Sequence, residues 1–182
     1  MWKVLKPLIV QTICNNYQNY IQAISSTVKQ KLLNKRHMKY TTSQEGLELI
    51  ASFEGCELTA YRCPAGVLTI GYGHTGDDVY EGQEITEDEA FELLAQDVKT
   101  AENCVNAQNL EIEQHQFDAL VSFVYNVGSG NFKKSTLLRK VRENAMDESI
   151  RDEFMKWVQA GGKILDGLVA RRNAEADLYF LE

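Results

Sequence analysis

The sequence predicts an α+β fold that is mostly helical, with a small β-sheet placed between the first helix of the body and all the others. Capping-box patterns open helices at Thr42-x-x-Glu45 and Thr86-x-x-Glu89. Between them, Glu54 to Thr75 is β-branched and punctuated by glycine, as a twisted hairpin would be. From Thr86 onward, apolar residues recur at helical spacing almost to the C-terminus.

Residues 1–40 stand apart in charge. They hold seven of the chain's 19 Lys and Arg and none of its 26 Asp and Glu, so the net charge of −7 divides into a basic arm and a body at −14. Leu5, Ile9, Ile13, Tyr17, Tyr20, Ile21, Ile24, Val28 and Leu32 recur at steps of three or four, the pattern of an amphipathic helix. The apolar run Pro7 to Val10 falls far short of the roughly 18 residues that span a bilayer. Gln11 and Thr12 interrupt it as a signal peptide. An export segment, an interfacial helix and a helix docked on the body remain open, and contact with a membrane surface or export is preferred. Asn34 to Thr42 is read as a linker, giving an arm at 1–40 and a body at 41–182.

The acidic body excludes a nucleic-acid partner, because such surfaces need clustered Lys and Arg. The basic arm suits an anionic lipid or wall polymer instead. Neither a Walker loop nor a dinucleotide fingerprint is present, and the chain calls for no cofactor. With 44% hydrophobic residues in 182, a single domain with one appendage, acting as a monomer, is the simplest count.

In the first helix of the body, Leu47, Ile50, Ala51 and Phe53 form the apolar stripe and Gly55 is the stop. Glu54 then sits in the last turn, where the helix dipole disfavours an anion, a setting that suits a general acid. The helix from Thr86 runs through Ala90, Leu93, Leu94, Val98 and Ala101 to about Val105. Gln114 to Val127 has the composition of a central buried helix, ended by Gly128-Ser-Gly130. Shorter helices follow at Ser135 to Asn144 and Asp147 to Ala160, then a turn at Gly161 and a last helix from Leu168 to Phe180.

Glu54, Thr69 and the run Gly71-Tyr-Gly-His-Thr75 resemble the catalytic segment of phage-type lysozymes, the muramidases that phages use as endolysins. Phe117 to Gly128 and Gly167 to Leu181 extend the resemblance towards the C-terminus. It implies a two-lobed fold, a small β-sheet lobe and a helical lobe with a groove between them, and peptidoglycan as substrate. It also implies catalytic roles for Glu54 as acid and for Thr69 in placing water. The family's usual Asp is Cys63 here, which is similar to the signal-arrest-release branch. That resemblance implies a thiol caged by a Cys56–Cys63 disulfide until Cys14 displaces it, in an oxidising, extracytoplasmic compartment. A permanent Cys56–Cys63 staple is the competing reading, with Cys104 a buried free thiol.

By the same analogy Asn126, Gly128, Phe132 and Ser135 are sugar contacts, although Phe132 is also a natural core residue. Arg172, with Arg171 close behind, is the arginine that approaches Glu54, and His74 is a supporting hydrogen-bonder. Arg62 is a cation near enough in sequence to favour a Cys63 thiolate. A metal site from Cys56, Cys63 and His74 lacks zinc spacing. A Cys63–His74 hydrolase is disfavoured by the lysozyme pattern around His74. A catalytically dead, peptidoglycan-binding domain is the principal alternative to the enzyme.

Overall fold

The computed structural model describes residues 39–181. The arm, with Cys14, lies outside them apart from Lys39 and Tyr40.

The chain enters the body through a clamp. Tyr40 N–H donates to Asn106 Oδ1 (2.9 Å), Asn106 Nδ2 returns a bond to the Tyr40 carbonyl (2.8 Å), and the Tyr40 hydroxyl donates to the Ile112 carbonyl. The Tyr40 ring stacks on Phe117 at 5.3 Å. Thr42 gives both its N–H and its hydroxyl to Glu102 Oε1, at 2.8 Å each. Tyr40 to Thr42 is therefore docked, where a linker was expected.

With the Thr42 hydroxyl so committed, the helix cap moves one residue on. Ser43 caps α1 (Gln44–Phe53), its Oγ accepting from Gly46 N–H and donating to Asp118. Glu54 is the extended residue just past α1, not a member of the last turn.

Strands β1 (Glu57–Arg62) and β2 (Leu68–Gly71) pair antiparallel, with Tyr61 opposite Thr69 and an irregularity towards Glu57. The hairpin closes through Cys63 N–H to the Val67 carbonyl (3.0 Å), with Gly66 at φ +79°, a backbone that glycine tolerates without strain. A capping box between Thr86 and Glu89 opens α2 (Glu87–Asp97), as expected. The predicted continuation to Val105 turns at Val98 and resumes as α3 (Lys99–Asn106).

Helix α4 (Gln114–Val127) is buried without a break from Gln116 to Val124, so it has no solvent face to pattern. Around it lie α5 (Ser129–Lys134), α6 (Thr136–Glu143), α7 (Ile150–Met155) and α8 (Asp166–Tyr179). Phe123 on α4 meets Phe154 and Trp157 edge-on, both at 5.5 Å. The expected helix from Asp147 to Ala160 stops at Met155. Gly161 and Gly162, both at positive φ, instead turn a small hairpin of β3 (Gln159–Ala160) and β4 (Lys163–Ile164). The result is a helical lobe built on α4, with a small β lobe that contacts it mainly through α2.

At Gly46, α1 comes close to Asp118 of α4. A Cβ there would lie 2.7 Å from Thr42 Cγ2 and 2.8 Å from Asp118 Cβ, whereas one on Gly55 would meet nothing within 4 Å. Gly46→Ala should cost about 1–3 kcal/mol by overpacking, and Gly55→Ala should be close to neutral. Urea unfolding midpoints of the two variants check this, and equal midpoints would show that the clamp yields.

Candidate active site

Glu54 is held from the far end of the chain. Arg171 Nη1 on α8 donates to Glu54 Oε1 at 2.7 Å; the arginine side chain is 3% exposed and the glutamate 28%. The carboxyl is thus fixed on one side and open on the other. Arg171, not Arg172, makes this contact: the next residue on a helix points about 100° away, and Arg172 is directed to Asn126.

Both arginines are organised by Glu175, one turn further along α8. Glu175 is fully buried, and its Oε1 accepts from Arg171 Nε (3.2 Å), Arg172 Nη2 (3.2 Å) and the Ser122 hydroxyl (2.8 Å). Its Oε2 lies 2.9 Å from Arg172 Nε. Burial pushes the Glu175 carboxyl up and the Arg172 guanidinium down, each opposed by its partner's charge. Arg172 Nη2 also donates to Asn126 Oδ1 at 2.8 Å, and its guanidinium stacks over Phe123. Asn126 is exposed and accepts this bond through Oδ1, so its NH₂ group is not used in it.

The hairpin brings Thr69 and Cys63 together. Thr69 is 4% exposed, its hydroxyl donates to the Val67 carbonyl at 3.2 Å, and its side chain is a lesser influence that lowers the Cys63 pKa. Backbone amides of Val67 and then Ala65 hold the Cys63 thiol below its ordinary pKa. The role assigned to Arg62 falls to these amides, because Arg62 Nη1 bonds the Gly66 carbonyl and its Nη2 lies 3.7 Å from Glu81.

Cys56, Cys63 and Cys104 are free thiols. Cys56 lies at the opposite end of β1, where burial and then Cys56 itself push the Tyr72 hydroxyl up. The two cysteines do not face each other across the hairpin. They flank six residues of one strand, on the order of 20 Å of extended chain, against a disulfide limit of about 7 Å between Cα atoms. A bond between them and an intact β1 exclude each other.

His74 has both ring nitrogens engaged, Nδ1 with Asp97 (2.9 Å) and Nε2 with Asp78 (3.1 Å). Neither is left to activate Cys63. Two further candidates fall away as sugar contacts. Phe132 is fully buried beside Phe123, and the Ser135 hydroxyl is spent on capping α6 and on the Phe132 carbonyl. Gly128 is exposed at φ +84°, where α4 passes into α5. Among the described residues, no group of three or more His, Cys, Asp and Glu side chains could hold a metal ion.

Sequence reasoning gave no role in the site to Glu175, Ser122, Asp97 or Tyr125. Burial, Asp97 and then Glu54 push the Tyr125 hydroxyl up to about 12, which places it electrostatically beside Glu54. The spacing of Arg171 and Arg172 to Glu175 was the one available signal, and it reads equally well as a surface pair. A cavity of about 540 Å³ lined by Gln116, Met146, Tyr179 and Phe180 includes none of the predicted site residues.

A family model described as Phage lysozyme matches residues 51–175. An endolysin of Bacillus phage B103 is 44% identical over 140 residues, covering 75% of this chain and 53% of that protein, so the chain spans about half that relative's length. A SAR-endolysin of Bacteriophage PS119 is 42% identical over 126 residues, covering 69% of this chain and 75% of that one. Among solved structures, the muramidase domain of SpmX from Asticaccaulis excentricus is similar with a TM-score of 0.70 and 35% identity, over 79% of this chain and 99% of that one.

Burial opposes charging of His74, but the hydrogen bonds and charges of Asp97 and Asp78 outweigh it and raise its pKa. A raised folded-state value means that the stabilisation is complete below the unfolded imidazole value, about 6.5, and is lost as pH rises through the folded one. His74→Gln should therefore destabilise most near about pH 5 and least at about pH 8.5. Melting temperatures across that range measure it; a pH-independent difference would assign His74 to packing alone.

Proposed function

This chain belongs to the phage lysozyme family, and we propose that it is an endolysin-type muramidase, hydrolysing the β-1,4 bond between N-acetylmuramic acid and N-acetylglucosamine of peptidoglycan. The observation that carries the proposal is the carboxyl of Glu54, braced by a buried arginine and still a quarter exposed.

In this reading Glu54 gives its proton to the departing glycosidic oxygen. Thr69 and Cys63 hold and activate a water from the hairpin side. Asn126 and the backbone at Gly128 contact the sugar. Asn126 does so through the NH₂ group that the Arg172 bond leaves outward.

Peptidoglycan lies outside the cytoplasmic membrane, so a protein made in the host cytoplasm acts after export and, on this reading, as a monomer. The basic arm would assist at anionic lipid or wall polymer, since the body it precedes is acidic. In the oxidised form a Cys56–Cys63 bond withholds the thiol, and exchange with Cys14 releases it.

Glu54→Gln should lower lysis of outer-membrane-stripped bacteria by at least about 100-fold while the protein stays folded. Lysis at the parent rate would end the mechanism. Wall binding without lysis by the parent itself would favour the binding domain over the enzyme.

A base must be ionised to act, and the lowered pKa of Cys63 enlarges its thiolate fraction at neutral pH. Activity should rise with pH through that value. Cys63→Asp should move the rise to the acid range, and Cys63→Ser should be far weaker than either. Equal Ser and Asp variants would make the position structural. Prior oxidation should suppress the parent, and reductant should restore it, while leaving Cys63→Asp unaffected.

A further inference from the structure

We propose that Glu175 is a positioning residue for both halves of the substrate site, aiming Arg171 at the acid and Arg172 at the sugar-binding amide. The inference rests on the reading of Glu54 as the acid.

Two adjacent cations on α8 are almost without solvent. Arg171 is 3% exposed and Arg172 is fully buried, so neither guanidinium is oriented or screened by water. Glu175, at i+4 from one and i+3 from the other, is the carboxylate they share, and its hydrogen bonds and ion pairs go to the two arginines and Ser122.

The division of contacts on each arginine is the point. Arg171 spends Nε on Glu175 and Nη2 on the Ser122 carbonyl (3.4 Å), which leaves Nη1 directed at Glu54. Arg172 turns Nε and Nη2 towards Glu175, and the same Nη2 reaches Asn126. Because a guanidinium is planar and rigid, fixing its Nε edge fixes where its outer nitrogens point. Ser122 on α4 completes the device by holding Glu175 Oε1 from the opposite helix.

Removing the Glu175 charge should therefore misaim two groups with two kinetic signatures. A displaced Arg171 lets Glu54 drift from the leaving oxygen, which lowers kcat. A displaced Arg172 frees Asn126 to rotate, which weakens ground-state contact and raises KM.

The test is release of soluble fragments from dye-labelled peptidoglycan, with kcat and KM measured for folded Glu175→Gln, Arg171→Lys and Arg172→Lys. Glu175→Gln should lower kcat by about 10- to 100-fold and also raise KM. Arg171→Lys should reproduce the kcat part alone and Arg172→Lys the KM part alone. A general loss of packing would not split in this way. If Glu175→Gln fails to fold, Ser122→Ala takes its place and should show both effects in smaller measure. Parent kinetics in whichever of the two is measured would overturn the inference, as would Arg171→Lys and Arg172→Lys affecting kcat and KM alike. Retained lysis in Glu54→Gln would instead remove the underlying reading of the acid.

Discussion

The contact between Arg171 and Glu54 joins residues 117 positions apart, and most of the helical lobe serves to make that meeting reproducible. Its near end is set by α1, whose start is fixed by bonds from Thr42 to Glu102 and from Ser43 to Asp118. A ten-residue helix is stiff and about 15 Å long, so fixing its first turn fixes where Glu54 emerges. The far end is set by α8, which packs along α4. Ser122 and Glu175 tie those two helices together at the level of the arginines. A hydrogen bond of 2.7 Å tolerates little error at either end, and the bonds at both ends are short enough to supply the precision.

Buried charge is costly unless it is paired, and this explains why the network is larger than the contact it supports, even though Arg172 Nη1 is left without a hydrogen-bond partner. One arginine facing Glu54 needs a second anion to survive burial, which is Glu175. Burial of Glu175 in turn is eased by a second cation, Arg172, whose outer nitrogen then finds Asn126. Asp118 follows the same rule on α4: burial raises its pKa, and bonds from Ser43 and Gln114 oppose that rise.

Legibility in the sequence followed the range of the interaction. The Thr86–Glu89 capping box, the hairpin and the central helix were readable because each is decided within a few residues. The cap of α1 was misplaced by one residue because Glu102, 60 positions away, claims the Thr42 hydroxyl. Helix α7 is the exception, drawn too long because a strand of only two residues, Gln159–Ala160, is too short to carry an alternating pattern. At the site, Glu54, Thr69 and Cys63 came from a family pattern. The choice between Arg171 and Arg172 depends on the rotation of α8 about its axis, and α8 has no strong apolar stripe to declare it. Glu175 was visible only as a helical pair, since nothing in its neighbours announces that the position is fully buried.

The two halves of the candidate site differ in what holds them. Glu54 and Arg171 are anchored in helices that share the main core, while Thr69 and Cys63 sit on a two-stranded hairpin, an element that is marginal by itself. A covalent bond between Cys56 and Cys63 would have to draw the ends of β1 to about a third of their extended separation. The strand would leave the ladder, Thr69 would lose its place opposite Tyr61, and the amides of Ala65 and Val67 would lose the register that points them at the sulfur. Oxidation would then do more than cap one thiol, because it would dismantle the frame of the Thr69 hydroxyl as well. The acid would stand unchanged on its arginine. A redox switch placed here gains its force from the weaker half of the structure, where breaking a few ladder hydrogen bonds suffices and the helical core need not move.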